Sequence, residues 1–158
     1  MKNFPIEHEG KIYWISRAIG VAGYIFCYDD ELKILANKRG SGTPDFQGYW
    51  NCPCGYLDFD ETTAQACSRE IKEETGLEVT EIQYLFSSPN EYVYSGMGIH
   101  TLDMDYLARV HCDSVAVTAH DDAAEAMWIP INKVNPAEFG LTSIRNAVIR
   151  FLSKTLIK

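Results

Sequence analysis

The apolar positions divide the chain into short strand-like runs and two longer helical ones. Lys11 to Ile15 is a brief apolar-aromatic stretch of strand character. Ile19 to Tyr28, rich in Val, Ile, Phe and Tyr, reads as a buried strand. Asp29-Asp30 signals a turn, and Leu32 to Asn37 returns as a second strand, so the two form a hairpin. Gly40 to Gly48 contains three Gly and a Pro and reads as a loop. Thr62 to Thr75 has a helical pattern, with Thr62 and Gln65 spaced as a capping box and Gly76 placed for a left-handed C-cap. Val79 to Phe86 is a strand, Ser87 to Asn90 a turn, Ile99 to Val110 a long strand and Ala126 to Ile129 a short one. Thr142 to Leu156 closes the chain as a helix, with Ile144, Val148, Phe151, Leu152 and Thr155 on one face. This alternation predicts a mixed α/β (α+β) fold, and with no repeat or linker it predicts a single domain over residues 1–158.

Composition narrows the class. At 46% hydrophobic and 23% charged, the chain is that of an ordinary soluble fold. The net charge of -8 repels a phosphate backbone and argues against a nucleic-acid polymer as partner. Small anionic substrates are still allowed, because divalent ions bridge carboxylates to phosphates. The five cysteines (Cys27, Cys52, Cys54, Cys67, Cys112) contain no C-x-x-C pair and read as reduced, small buried residues. The N-terminus has no secretory apolar region, and no run approaches the roughly 18 apolar residues of a membrane helix. The expectation is a cytoplasmic protein with no membrane partner.

The candidate chemistry lies on the first helix. Glu70, Glu73 and Glu74 stand at i, i+3 and i+4 and share one face, bordering the apolar stripe of Ala64, Cys67 and Ile71. Like charges at this spacing destabilise a helix, and Glu73 and Glu74 oppose the macrodipole in its last turn. Such a cluster invites a cation, and hard oxygen donors favour Mg²⁺ or Mn²⁺. On three glutamates alone, a solvated acidic face paired with Arg69 and Lys72 is the simpler reading.

The longer stretch alters that balance. Gly55-Tyr-Leu-Asp-Phe-Asp-Glu61, seven further residues, then Arg69-Glu70-Ile71-Lys72-Glu73-Glu74-Thr75-Gly76-Leu77 resembles the Nudix box, G-x5-E-x7-R-E-U-x-E-E-x-G-U, at every fixed position. The preceding hairpin, Arg39, and the later segment running from acidic residues to Trp128-Ile129-Pro130 also resemble the layout of that family. One departure is Pro53-Cys54-Gly55 where many members have Pro-Gly-Gly. It implies that Cys54 takes a backbone geometry often given to Gly.

The resemblance implies a Nudix-type α/β/α sandwich that hydrolyses a nucleoside diphosphate linked to another group. It implies that Glu70, Glu73 and Glu74 ligate Mg²⁺ or Mn²⁺, together with the Gly55 carbonyl. It also implies that Arg69 orients them, braced by Glu61. Glu73 and Glu74 are candidates for the general base, and Asp121, Asp122, Glu125 and His120 are rivals on a later loop. Arg39 resembles the basic residue that members aim at substrate phosphates. Ser87-Ser-Pro-Asn-Glu-Tyr92-Val-Tyr94-Ser95 partly resembles the array of NADH-type members, and Tyr92 and Tyr94 are candidate stacking platforms for a base. ADP-ribose, a dinucleotide such as NADH and a nucleoside triphosphate stay open as substrates. So does a homodimer. The rival reading is a non-catalytic Nudix-like module that binds ADP-ribose or a nucleotide and regulates a partner.

Overall fold

The computed structural model describes residues 4–15, 18–28, 30–94, 97–110, 117–119 and 123–155, with side chains at 4–6, 13–15, 92–94, 97–99 and 155 left undescribed. Strand β3 (Ala18–Tyr28) sets the layers. Successive side chains of a strand point to opposite faces. Val21 and Ile25 therefore pack with Ala66, Cys67 and Ile71 of helix α1 (Thr63–Thr75), while Ala22 and Tyr24 pack with Ile144, Ala147 and Val148 of helix α2 (Thr142–Thr155). Strand β4 (Leu32–Arg39) divides in the same way, Leu35 toward α1 and Ile34 and Ala36 toward α2. A sheet covered on both faces needs continuous apolar runs, which both strands have. The result is the expected α/β/α sandwich.

Two short strands, β5 (Trp50–Asn51) and β6 (Cys54–Tyr56), precede α1. Three longer ones follow it: β7 (Val79–Tyr94), β8 (Met97–Val110) and β9 (Ala123–Pro130). The main sheet runs β5-β4-β3-β8-β7, with β9 added on β4 and β6 on β3. The β3–β8 pair is parallel and the others are antiparallel. β3 pairs with β4 only at Phe26–Tyr28, whereas at Gly20–Ala22 its partner is β6. The sheet thus opens beside the N-terminal half of β3, where the site is built. β1 (Phe4–His8) and β2 (Lys11–Ile15) form a separate two-stranded hairpin.

Helix α1 starts at a full capping box, with Gln65 N–H donating to the Thr62 hydroxyl and Thr62 N–H to the Gln65 side chain. It ends at Gly76, which is left-handed at φ 73°. Gly23 lets the helix approach β3, since a Cβ there would lie 2.6 Å from Ile71 Cδ1. The turn expected at Ser87 to Asn90 is not formed. β7 continues through Pro89, which pairs with Leu102. β7 is an edge strand, where the missing N–H of proline costs no ladder bond on the open side. Cys54 does not have a positive φ, contrary to the expectation from its neighbours. It sits in ordinary strand geometry opposite Ala22.

Candidate active site

A cavity of about 350 Å³ lies where β3, β4 and β6 part, reaching from the C-terminal half of α1 to the start of α2. Glu70 and Glu74 enter it from α1, Gly55 from β6 and Arg39 from the end of β4. Four predicted site residues from three elements of the fold therefore meet with Arg69, a fifth, in one hollow.

Gly55 is required by contact. A Cβ at this position would collide with the Glu70 carboxylate, which lies directly against the backbone there. Glu74 is buried at 8% exposure, although the helical pattern alone placed it at the border of the apolar stripe. Its Oε2 accepts from Asn37 Nδ2 at 2.7 Å and from the Cys54 backbone N–H at 3.2 Å. Burial, reinforced by the negative charge of Glu70, pushes its carboxyl up to about 8. Two carboxylates thus share a confined volume, and one ionises poorly unless positive charge arrives.

Arg69 knits the box together. Its guanidinium donates to both Glu61 oxygens at 2.7 and 3.2 Å, to Glu70 at 2.7 Å, to Glu73 at 3.0 Å and to the Tyr56 carbonyl at 3.0 Å. Those hydrogen bonds, the Glu61 bond first, hold its pKa well above the usual arginine value. The same partner keeps Glu61 below the usual carboxylate range. Lys72, by contrast, faces away and pairs with Glu78 at 2.6 Å.

The remaining candidates fall elsewhere. The Glu73 side chain is half-exposed, bound to Arg69, and does not line the cavity. Glu125 is exposed and pairs with Lys38 at 3.3 Å, also outside the cavity. Tyr92 and Tyr94 lie near the end of β7 with their side chains undescribed, and His120, Asp121 and Asp122 lie outside the described residues. Arg39 is mostly buried, its guanidinium tied to the Asp45 carboxylate and to the Asp45 carbonyl at 2.9 Å. It faces the cavity through the Gly40 to Gly48 loop, which the Thr43 hydroxyl closes by bonding the Gly40 carbonyl at 2.8 Å.

Sequence reasoning missed several cavity or support residues, among them Asn37, Asp45, Tyr56, Asn90, Thr101 and Asp103. Asn37 carried a signal, a polar residue ending the apolar run of β4. The others look like ordinary turn or strand residues. Cys54 also lines the cavity, and burial with the Glu74 charge beside it raises its thiol pKa well above the usual value. That makes it a poor nucleophile.

The donor chemistry can be compared with the metal that the box implies. Among the described residues, no three acidic, His or Cys side chains are grouped to hold an ion. Mg²⁺ commonly needs only one or two carboxylates and completes its shell with water and substrate phosphates. Glu70 and Glu74 with the Gly55 carbonyl fit that requirement.

The NUDIX domain model matches residues 18–150, and the chain belongs to that family. It is 30% identical over 128 residues to an ADP-ribose pyrophosphatase of Methanocaldococcus jannaschii, covering 80% of this chain and 69% of that protein. It is 33% identical over 89 residues to the NAD-capped RNA hydrolase NudC of Vibrio vulnificus, but these are 56% of this chain and 31% of the relative. The NUDIX domain of Shewanella oneidensis NrtR, solved with ADP ribose, has the same fold at a TM-score of 0.71 and 22% identity, with 90% of each chain covered.

Proposed function

We propose that this chain hydrolyses the diphosphate linkage of a nucleoside diphosphate derivative, with Mg²⁺ or Mn²⁺ held by Glu70, Glu74 and the Gly55 carbonyl. ADP-ribose is the leading substrate. The observation that carries the reading is the meeting, inside one cavity, of Glu70 against the Gly55 backbone and Glu74 on the adjacent Cys54 N–H. When bound, the cation supplies charge neutralisation of the diphosphate oxygens and a more acidic attacking water.

The residues of the chain have separable tasks. Asn37 and the Cys54 N–H aim the Glu74 carboxylate. Arg69, fixed by Glu61, holds Glu70 in place. Arg39 adds a mostly buried positive charge to the cavity lining, suited to phosphate oxygens, and Asp45 fixes its direction. Water adds to one phosphorus, the bridging P–O bond breaks, and ADP-ribose yields AMP and ribose 5-phosphate. The ADP-ribose preference draws on the pyrophosphatase relative and the NrtR domain.

The test is AMP or phosphate release with Mg²⁺ across ADP-ribose, NADH, a dinucleoside polyphosphate and nucleoside triphosphates. Turnover of at least one is expected, ADP-ribose fastest, with Glu74→Gln reducing it about 100-fold or more. Tight binding of one ligand without turnover of any would favour the regulatory module instead.

A further inference from the structure

In the same cavity, contributed by β8 rather than by the box, lies a carboxylate with no role so far. Asp103 of β8 is buried at 7% exposure and lines the cavity. Thr101 Oγ1 donates to its Oδ1 at 2.9 Å, and Ser143 Oγ at the start of α2 donates to its Oδ2 at 2.6 Å. Among the described residues, no cationic side chain pairs with it. Gly20 makes room for it: a Cβ there would stand 2.5 Å from Asp103 Oδ1 and 3.6 Å from the Gly55 carbonyl oxygen. The carboxylate and the Gly55 carbonyl therefore border the same bare patch of β3. Asn90 lines the same cavity, 4% exposed, and its buried Oδ1 has no partner among the described residues.

A buried carboxylate without a cation is costly to a fold, and so is an orphaned amide oxygen. Two oriented hydroxyls and a glycine hold Asp103 in that situation. Each carboxylate oxygen has a second lone pair, so both keep acceptor capacity after taking one hydroxyl each. A phosphate has nothing to offer such acceptors, whereas a hydroxyl or amine does. The box glutamates and Arg39 suit diphosphate with a cation, whereas Asp103, in the same hollow, suits neutral donors.

We propose that Asp103, positioned by Thr101 and Ser143 and flanked by Asn90, reads a hydrogen-bond donor on the sugar or base of the substrate. The proposal rests on the hydrolase reading above and adds to it which residue selects the non-phosphate part. The donor is a sugar hydroxyl or the exocyclic amine of the base.

Steady-state kinetics of the wild type and Asp103→Asn on ADP-ribose test it. Asn keeps the size and can hydrogen-bond both hydroxyls, but it replaces one acceptor by a donor. The expected result is a KM raised at least about tenfold, more than kcat falls. Ser143→Ala, with a thermal melt for both variants, provides a second reading should Asp103→Asn fold poorly. A smaller KM rise of the same sign is expected there. Three analogues locate the donor: the 2′-deoxyadenosine form, the inosine form, and ADP methyl ester, which lacks the distal ribose. The Asp103→Asn penalty should vanish on one of them. A KM within twofold of wild type, a loss confined to kcat, or a penalty equal on all three analogues would overturn the proposal. Wild-type turnover separately reports on the hydrolase reading. If the wild type cleaves none of these compounds, calorimetric dissociation constants for the same compounds carry the same comparison.

Discussion

Single residues in this site are defined by what aims them. Glu74 illustrates this: the helical pattern places it, but Asn37, thirty-seven positions earlier, points its carboxylate into the cavity. Where a group ligates a metal, the role proposed for Glu74, removing such an orienting partner commonly costs roughly 10- to 100-fold in metal affinity or activity. Asn37→Ala is therefore expected to lower kcat/KM by about that range while leaving the fold intact, with circular dichroism as the control. Asp105 provides a second residue-scale test. It is fully buried and accepts from the Tyr24 hydroxyl at 2.7 Å. Burial raises its carboxyl to about 7. The folded protein thus keeps a proton that the unfolded chain loses near pH 4, roughly. Stability from this group is complete below that pH and is lost as pH rises through about 7. Urea unfolding without metal should show a decline on the order of 2 kcal/mol between pH 5 and 8, reduced in Asp105→Asn. A flat wild-type profile would contradict the assignment.

Among the elements, α1 was the most legible. Its capping box, its left-handed Gly76 and its apolar face are local signals, set by residues within four positions of each other. Thr62→Ala removes the cap and is expected to cost about 1 kcal/mol, a fall in Tm of roughly 3 °C, without changing which groups line the cavity. The hairpin of β3 and β4 was legible for the same reason, a turn signal between two apolar runs. The misread turn in β7 shows where local signals mislead. Ser-Ser-Pro-Asn has turn chemistry, yet fourteen pairings with β8 override it on an edge strand. β1, β5 and β6 are too short or too polar to stand out from sequence periodicity. Of the site, the box residues could be read because one helix and its preceding loop hold them in a fixed spacing. Asp45, Tyr56 and Asp103 could not, since only the parting of β3 from β4 brings a loop, β6 and β8 to one hollow.

At the scale of the whole molecule, the charge balance and the cavity agree. Among the described residues, a chain of net charge -8 places Asp45, Asp58, Glu70, Glu74 and Asp103 around one cavity against Arg39 and Arg69. A diphosphate approaching that hollow alone would be repelled, and with a divalent cation it would be drawn in. Binding and catalysis should therefore both depend on the cation. The account stands most directly on one measurement: the rate of AMP formation from ADP-ribose by the full chain, with Mg²⁺, with a chelator, and in Glu70→Gln. AMP should form with Mg²⁺ and cease with the chelator, and Glu70→Gln should be about 100-fold slower or worse. Undiminished AMP formation in the chelator, or in Glu70→Gln, would contradict it.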